Sequence, residues 1–223
     1  MYHWIEDKEF LSKMRSACSD IVNRVVLSIN KDGKMNVRMQ LVGSGARHLE
    51  TQNDNEDVDL DYNINIIEIN DSKYDEGKLL KEYIQKKFNE VLRSMGLNDC
   101  DDSKSTLTTK KMHFNSGNKT SFSIDLTITK IISEKWNKLI HVKTGDFRTD
   151  KWEWNIIRDS SKIDYKAKCI KANGLWNNLR ETYLNKKNYY LLKKDNEHPS
   201  YNCYIESINE VYGNIKQHMS NEK

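Results

Sequence analysis

The order of apolar and polar residues divides the chain into segments of two distinct periods. Within residues 4–29, Ile5, Phe10, Leu11, Met14, Cys18, Ile21, Val22, Val25, Val26 and Ile29 recur at three- and four-residue intervals. That spacing lines one face of a helix, and Lys31-Asp32-Gly33 closes it. Residues 36–42 then read as a strand, and residues 57–69 as a longer one in which Val58, Leu60 and Tyr62 alternate with polar neighbours. Leu79, Leu80, Tyr83, Ile84, Phe88, Val91 and Leu92 predict a helix over 77–95, ended by Gly96. Residues 106–114 and 120–132 predict antiparallel strands joined by the turn Asn115-Ser116-Gly117-Asn118. A second hairpin is expected from residues 139–143 and 152–157, around Thr144-Gly145-Asp146.

The last third is helical by the same criterion. Residues 162–187 form one predicted helix, kinked at Gly174, and Tyr204, Ile205, Ile208, Val211, Tyr212 and Ile215 form an amphipathic stripe after Pro199. The expected class is α/β (α+β), a mixed sheet flanked by helices with a C-terminal helical extension. The expected division is a core at 1–158 and an extension at 159–223.

Composition narrows this picture without changing it. Of 223 residues, 37% are hydrophobic and 31% charged, which suits a buried core beneath a heavily solvated surface. No apolar run approaches the roughly 20 residues that span a bilayer, and Met1 to Asp7 lacks the pattern of a secretion signal. Cys18, Cys100, Cys169 and Cys203 are far apart and make no Cys-x-x-Cys pair, so the reading is of reduced cytoplasmic thiols with no membrane partner. The net charge of +3 conceals a polarity: residues 49–72 hold Glu50, Asp54, Glu56, Asp57, Asp59, Asp61, Glu68 and Asp71 without a Lys or Arg, whereas 160–195 are rich in lysine. Such opposition suits a metal on the acidic part and a polyanion near the basic part.

The candidate chemistry lies in two short stretches, Leu41-Val42-Gly43-Ser44-Gly45 and Asp57-Val58-Asp59-Leu60-Asp61. A turn of small residues after an apolar strand brings backbone N–H groups close to phosphate, and carboxylates two apart on a strand share one face. Oxygen donors of that kind suit magnesium or manganese. A further acid, Asp125, sits in a strictly alternating strand where Phe122, Ile124, Leu126 and Ile128 face one way and Ser123, Asp125 and Thr127 the other. Trp136, Trp152 and Trp154 are read as packing, with base stacking as the alternative.

In this order, strand, Gly43-Ser44, Asp57-x-Asp59, helix, Asp125, residues 36–128 resemble the DNA polymerase β-like nucleotidyltransferase superfamily. The resemblance implies that Gly43 and Ser44 contact the triphosphate of a nucleoside triphosphate such as ATP, and that Asp57 and Asp59 bind two Mg2+ (or Mn2+) ions. It also implies that Asp125 is the third carboxylate, completing the metal site beside the acceptor hydroxyl. Asp61 has no counterpart in the motif and is read as a supporting or surface residue. Arg47, Thr51 and Lys171 are weaker candidates for phosphate or substrate contact. The implied activity is metal-dependent, template-independent transfer of a nucleoside monophosphate to a hydroxyl, releasing pyrophosphate. The acceptor stays open among RNA, a nucleotide, a protein and a small molecule. The alternative is a catalytically silent nucleotide-binding module or toxin–antitoxin component of the same fold.

Overall fold

The first long helix begins later than the apolar spacing suggests, because Asp7 caps it. In the computed structural model, which describes residues 1–146, 148–195 and 198–221, the Asp7 carboxylate accepts the backbone N–H of Phe10 at 2.8 Å. The elements are β1 (Tyr2–Trp4), α1 (Lys8–Lys31), β2 (Met35–Leu41), α2 (Gly43–Arg47), β3 (Thr51–Asn53) and β4 (Val58–Ile69). After a 3-10 turn come α3 (Gly77–Ser94), β5 (Asp101–Asp102), β6 (Leu107–Thr108), β7 (Phe122–Ile132), β8 (Lys135–Val142) and β9 (Lys151–Ile156). Helices α4 (Ser161–Ala172), α5 (Trp176–Leu192) and α6 (Ser200–Asn221) finish the chain.

Residues 5–50 and 55–157 form one compact unit, built on a mixed sheet. Its path runs β2-β4-β7-β6-β5, with β8 and β9 continuing from the far end of β7. Strands β4 and β7 are parallel, and β2 lies antiparallel to β4. Alternation decides the two faces. Leu60, Tyr62 and Ile64 of β4 and Phe122, Ile124 and Leu126 of β7 are buried in a single core with Met14, Cys18, Val22 and Val25 of α1 and Ile84, Phe88 and Leu92 of α3. The opposite face carries Asp59, Asp61, Asn63 and Asn65 on β4 and Ser123, Asp125 and Thr127 on β7. Among these Asp59 is exposed, Ser123 is buried and the others are half-buried.

Residues 1–4, 51–54 and 158–223 form the second unit. Here β1 pairs with β3, and Asn188 of α5 holds Tyr2 through both its backbone N–H (2.7 Å) and its carbonyl (3.0 Å).

The mixed sheet flanked by helices agrees with the expected class. Several local expectations need correction. Trp4 lies in β1 rather than in the helix, and β3 is a strand that the periodicity does not predict. The helix expected over 162–187 is two helices, separated where Gly174 takes φ +69°. The strand expected over 106–114 shrinks to Leu107–Thr108 with one isolated bridge, Met112 to Phe122. Strand β7 instead spends its length on β4 and turns back into β8 through Ser133 and Glu134, both at positive φ (49° and 65°). That is the geometry of a tight two-residue hairpin, and neither residue is a glycine that would have announced it. The hairpin of β8 with β9 agrees with the pattern.

Candidate active site

Strand β2 ends where the small residues begin. Leu41 is opposite Tyr62 on β4, and Val42 donates its N–H to the Asp61 carbonyl at 2.9 Å, so Gly43 emerges directly beside Asp61. Gly43 sits at φ +65°, and a Cβ there would fall inside van der Waals distance of the Asp61 carboxylate. Both the backbone angle and the lack of space therefore require glycine. Ser44 lies in the first turn of α2, whose Arg47 reaches back and donates to the Gly43 carbonyl at 2.6 Å.

The parallel register sets the acids. Asp59 is opposite Ser123 and Asp61 is opposite Asp125. Ser123 donates its hydroxyl to Asp59, and Thr108 on β6 donates its hydroxyl to Asp125 at 2.5 Å. Burial, followed by the nearby charges of Asp125 and Asp59, pushes the Asp61 carboxyl up to about 6. Burial and the charge of Asp59 raise Asp125 in the same direction, against the Thr108 hydrogen bond. The charge of Asp59 thus opposes ionisation of both Asp61 and Asp125, and that of Asp125 opposes ionisation of Asp61.

Asp57 is placed differently. It precedes β4 and forms an ion pair with Lys111 at 2.5 Å. The structure thus brings Asp59 and Asp125 to Asp61 and puts Asp61 beside Gly43, while Asp57 pairs with Lys111, whose charge also faces Asp59. Asp61 is the residue that motif spacing passed over. Its signal in the sequence is that Asp59-Leu60-Asp61 also reads acid-apolar-acid.

Other candidates are accounted for by packing. Trp152 stacks on His141 (centroids 4.3 Å apart, planes 16°) and Trp154 lies under Lys130 at 4.6 Å. Lys171 lies over Trp176 at 4.2 Å. Thr51 belongs to the helical unit, where it accepts a hydrogen bond from Lys187 at 2.7 Å.

A divalent cation can be tested against these residues. Among the described residues no group of three or more His, Cys, Asp or Glu side chains is gathered as a metal cage. The donor set nonetheless fits: three hard oxygen donors on one sheet face, two of them held above the usual carboxylate range by burial and mutual charge, are what a doubly charged cation relieves.

No protein-family model matches the chain, and no curated protein matches it. Solved structures do. The CdnC of Escherichia coli MS115-1, solved as a CdnC:HORMA-deltaN complex, superposes with a TM-score of 0.54 at 14% identity, over 88% of this chain and 57% of that one. Bradyrhizobium diazoefficiens CD-NTase CdnG in complex with GTP matches at 0.42 and 11%, over 70% of this chain and 40% of that one. Vibrio cholerae DncV cyclic AMP-GMP synthase with a linear intermediate matches at 0.44 and 16%, over 69% and 38%. The chain thus spans less than two thirds of the length of each of these.

Proposed function

From a chain that has the fold of the DNA polymerase β-like nucleotidyltransferases, we propose a template-independent nucleotidyltransferase in which Asp59, Asp61 and Asp125 are the working carboxylates and Gly43-Ser44 receives the triphosphate. The observation that carries this reading is the juxtaposition of Asp61 with Asp125 on adjacent parallel strands, one strand step from Asp59 and next to the glycine turn. Asp57, which pairs with the exposed Lys111, is left outside this set in the reading proposed here.

The reaction is an in-line displacement. The acceptor oxygen bonds to the α-phosphorus, the bond from that phosphorus to the bridging oxygen breaks, and pyrophosphate leaves. Magnesium or manganese held by Asp59, Asp61 and Asp125 would supply neutralisation of the polyphosphate and activation of the acceptor hydroxyl. The chain's own part is orientation. Thr108 and Ser123 direct Asp125 and Asp59 through hydroxyl donors, and Gly43, without a side chain, lets phosphate approach the backbone beside Asp61.

The test is incubation of the full chain with each labelled nucleoside triphosphate, magnesium, and separate pools of RNA, protein and small hydroxyl compounds, read by mass spectrometry. Asp59→Asn, Asp61→Asn and Asp125→Asn are each expected to lower turnover by at least about a hundredfold, the scale of losing one essential electrostatic contact. Asp57→Asn is expected to stay within a few-fold of wild type. Full activity in Asp61→Asn together with loss in Asp57→Asn would reverse the assignment. Triphosphate binding without product in any pool would favour the silent nucleotide-binding module.

A further inference from the structure

Glu50, just past α2, has only 4% of its surface exposed. A carboxylate buried to that degree needs a partner, and Arg15 of α1 supplies it: Nε donates to Glu50 Oε1 at 2.6 Å, and Nη2 donates to the same oxygen. Ser19, one turn further along α1, shares a hydrogen bond with the Tyr62 hydroxyl at 2.8 Å, and Tyr62 follows Asp61 on β4. Residues four apart on a helix lie in one row. That row of α1 therefore holds both stretches that make the candidate site, Ser19 the acidic strand and Arg15 the segment that leaves the glycine turn.

The turn needs such a tie. A helix of five residues does not hold its shape alone, so residues 43–47 take theirs from what flanks them. On the entry side Val42 is bonded to the Asp61 carbonyl. On the exit side His48 turns the chain at φ +56°, the buried Leu49 donates its N–H to the Ser44 carbonyl at 3.0 Å, and Glu50 follows at once. One backbone hydrogen bond and one ion pair thus connect Ser44 to the Arg15 guanidinium. Neither Arg15 nor Glu50 takes part in the chemistry proposed above. Stability alone is a weak reason for a buried ion pair, since an apolar pair of similar size often holds a fold as well. What the guanidinium adds is direction, because its planar N–H groups fix where the carboxylate, and the backbone attached to it, can lie.

Resting on the reading of Gly43-Ser44 as the triphosphate turn, we propose that Arg15 and Glu50 are positioning residues, whose ion pair sets the exit of the turn and so holds Ser44 and the backbone beside Asp61 in the arrangement that receives phosphate. Neither side chain touches the nucleotide. Their loss spreads the turn over several arrangements, and a misplacement of about 1 Å from a change outside the reacting groups can cost as much as about a hundredfold.

The experiment compares the full wild-type chain with Arg15→Lys and with the double variant Arg15→Met, Glu50→Leu. Calorimetry with ATP, GTP, CTP and UTP in magnesium gives affinity, amide hydrogen exchange at residues 43–45 reports the turn, and thermal unfolding gives the midpoint. The double variant, with an apolar pair in place of the charges, is expected to keep a midpoint close to that of wild type. Its affinity for the tightest-binding triphosphate should nonetheless fall at least about tenfold, and its Gly43 and Ser44 amides should exchange faster. Arg15→Lys, which keeps the charge and loses the fork, should fall between the two. In turnover the KM for triphosphate should rise by the same factor, with kcat at saturation within about threefold of wild type. A pair that only fastens the fold would move the midpoint and leave affinity and exchange of the folded protein unchanged, and that result overturns the inference. The two proposals fail separately. Wild-type binding with unchanged affinity and exchange in both variants sinks this inference alone, and weakened binding in the double variant beside full turnover in Asp61→Asn sinks only the carboxylate assignment. A wild type that binds none of the four triphosphates sinks the phosphate reading of the turn and this inference with it.

Discussion

Asp61 shows how a single residue can carry opposite demands of stability and chemistry. A carboxyl raised from 3.8 to about 6 favours the folded state when protonated and opposes it when charged. The cost is absent below the ordinary carboxylate range, grows as pH rises from 3.8 through about 6, and stays constant above. Asp61→Asn is therefore expected to be more stable than wild type at pH 8 in chelator, by on the order of 1–3 kcal/mol, with the difference vanishing near pH 4. Urea unfolding of both proteins across that range measures it, and a constant difference would mean that the shift is not the cause. Added magnesium should shrink the gap at pH 8 by stabilising wild type selectively. Asp57→Asn offers the contrast, since its carboxylate loses an exposed ion pair with Lys111, which is worth little.

Elements are fastened by groups the periodicity does not reveal. His141, buried on β8, has Nδ1 2.7 Å from Asp102 Oδ2 on β5 and Nε2 2.8 Å from Asp150 Oδ2, just before β9. Lys81 on α3 completes the group, 2.5 Å from the other Asp102 oxygen and 2.8 Å from the Ser103 carbonyl. Its burial lowers the lysine's affinity for its proton. These contacts tie the β8–β9 hairpin to β5 and α3. Removal of the central ring in His141→Ala leaves the half-buried Asp102 and Asp150 carboxylates without their shared hydrogen-bond partner, so a loss of about 1–3 kcal/mol is expected in thermal or urea unfolding. Triphosphate binding by the remaining folded protein should be unchanged, because none of the three acids takes part in the fastening. In sequence, His141 is one polar residue in an apolar strand, and nothing local identifies partners 39 and 9 positions away.

At the scale of the molecule, ligand linkage and net charge are the accessible quantities. If the chain binds a nucleoside triphosphate with magnesium, a ligand at a hundred times its Kd adds about 2.7 kcal/mol. For a chain of this length that is a rise in Tm of several degrees. Differential scanning with each of the four triphosphates checks this, and no rise with any of them would remove the phosphate-binding role of Gly43-Ser44. The net charge of +3 and the lysines of α4 and α5 predict weak, non-specific RNA binding. Its affinity should fall steeply between 50 and about 200 mM salt in fluorescence anisotropy. Salt-insensitive, tight binding would instead require a specific RNA site. No helix among the described residues is long and apolar enough to cross a membrane.

The periodicity was enough for α1, β2, β4, α3, β7 and α6, because each must bury one apolar face and that need is written in the spacing of Val22, Leu60, Phe88 or Ile124. It was also enough to put Asp59, Asp61 and Asp125 on polar strand faces. It could not say which acids meet. Asp57, Asp59 and Asp61 recur every second residue, so alternation sends them all the same way, and a shift of two leaves every apolar position still buried. Short elements escaped for a related reason. The strand β3 and the two-residue β6 bury too little to leave a pattern and exist only through their partners β1 and β7. The register of β4 on β7 is a contact between residues 64 apart, decided by how the two strands pack on α1 and α3, and it is this tertiary choice that puts Asp61 opposite Asp125 and leaves Asp57 to Lys111.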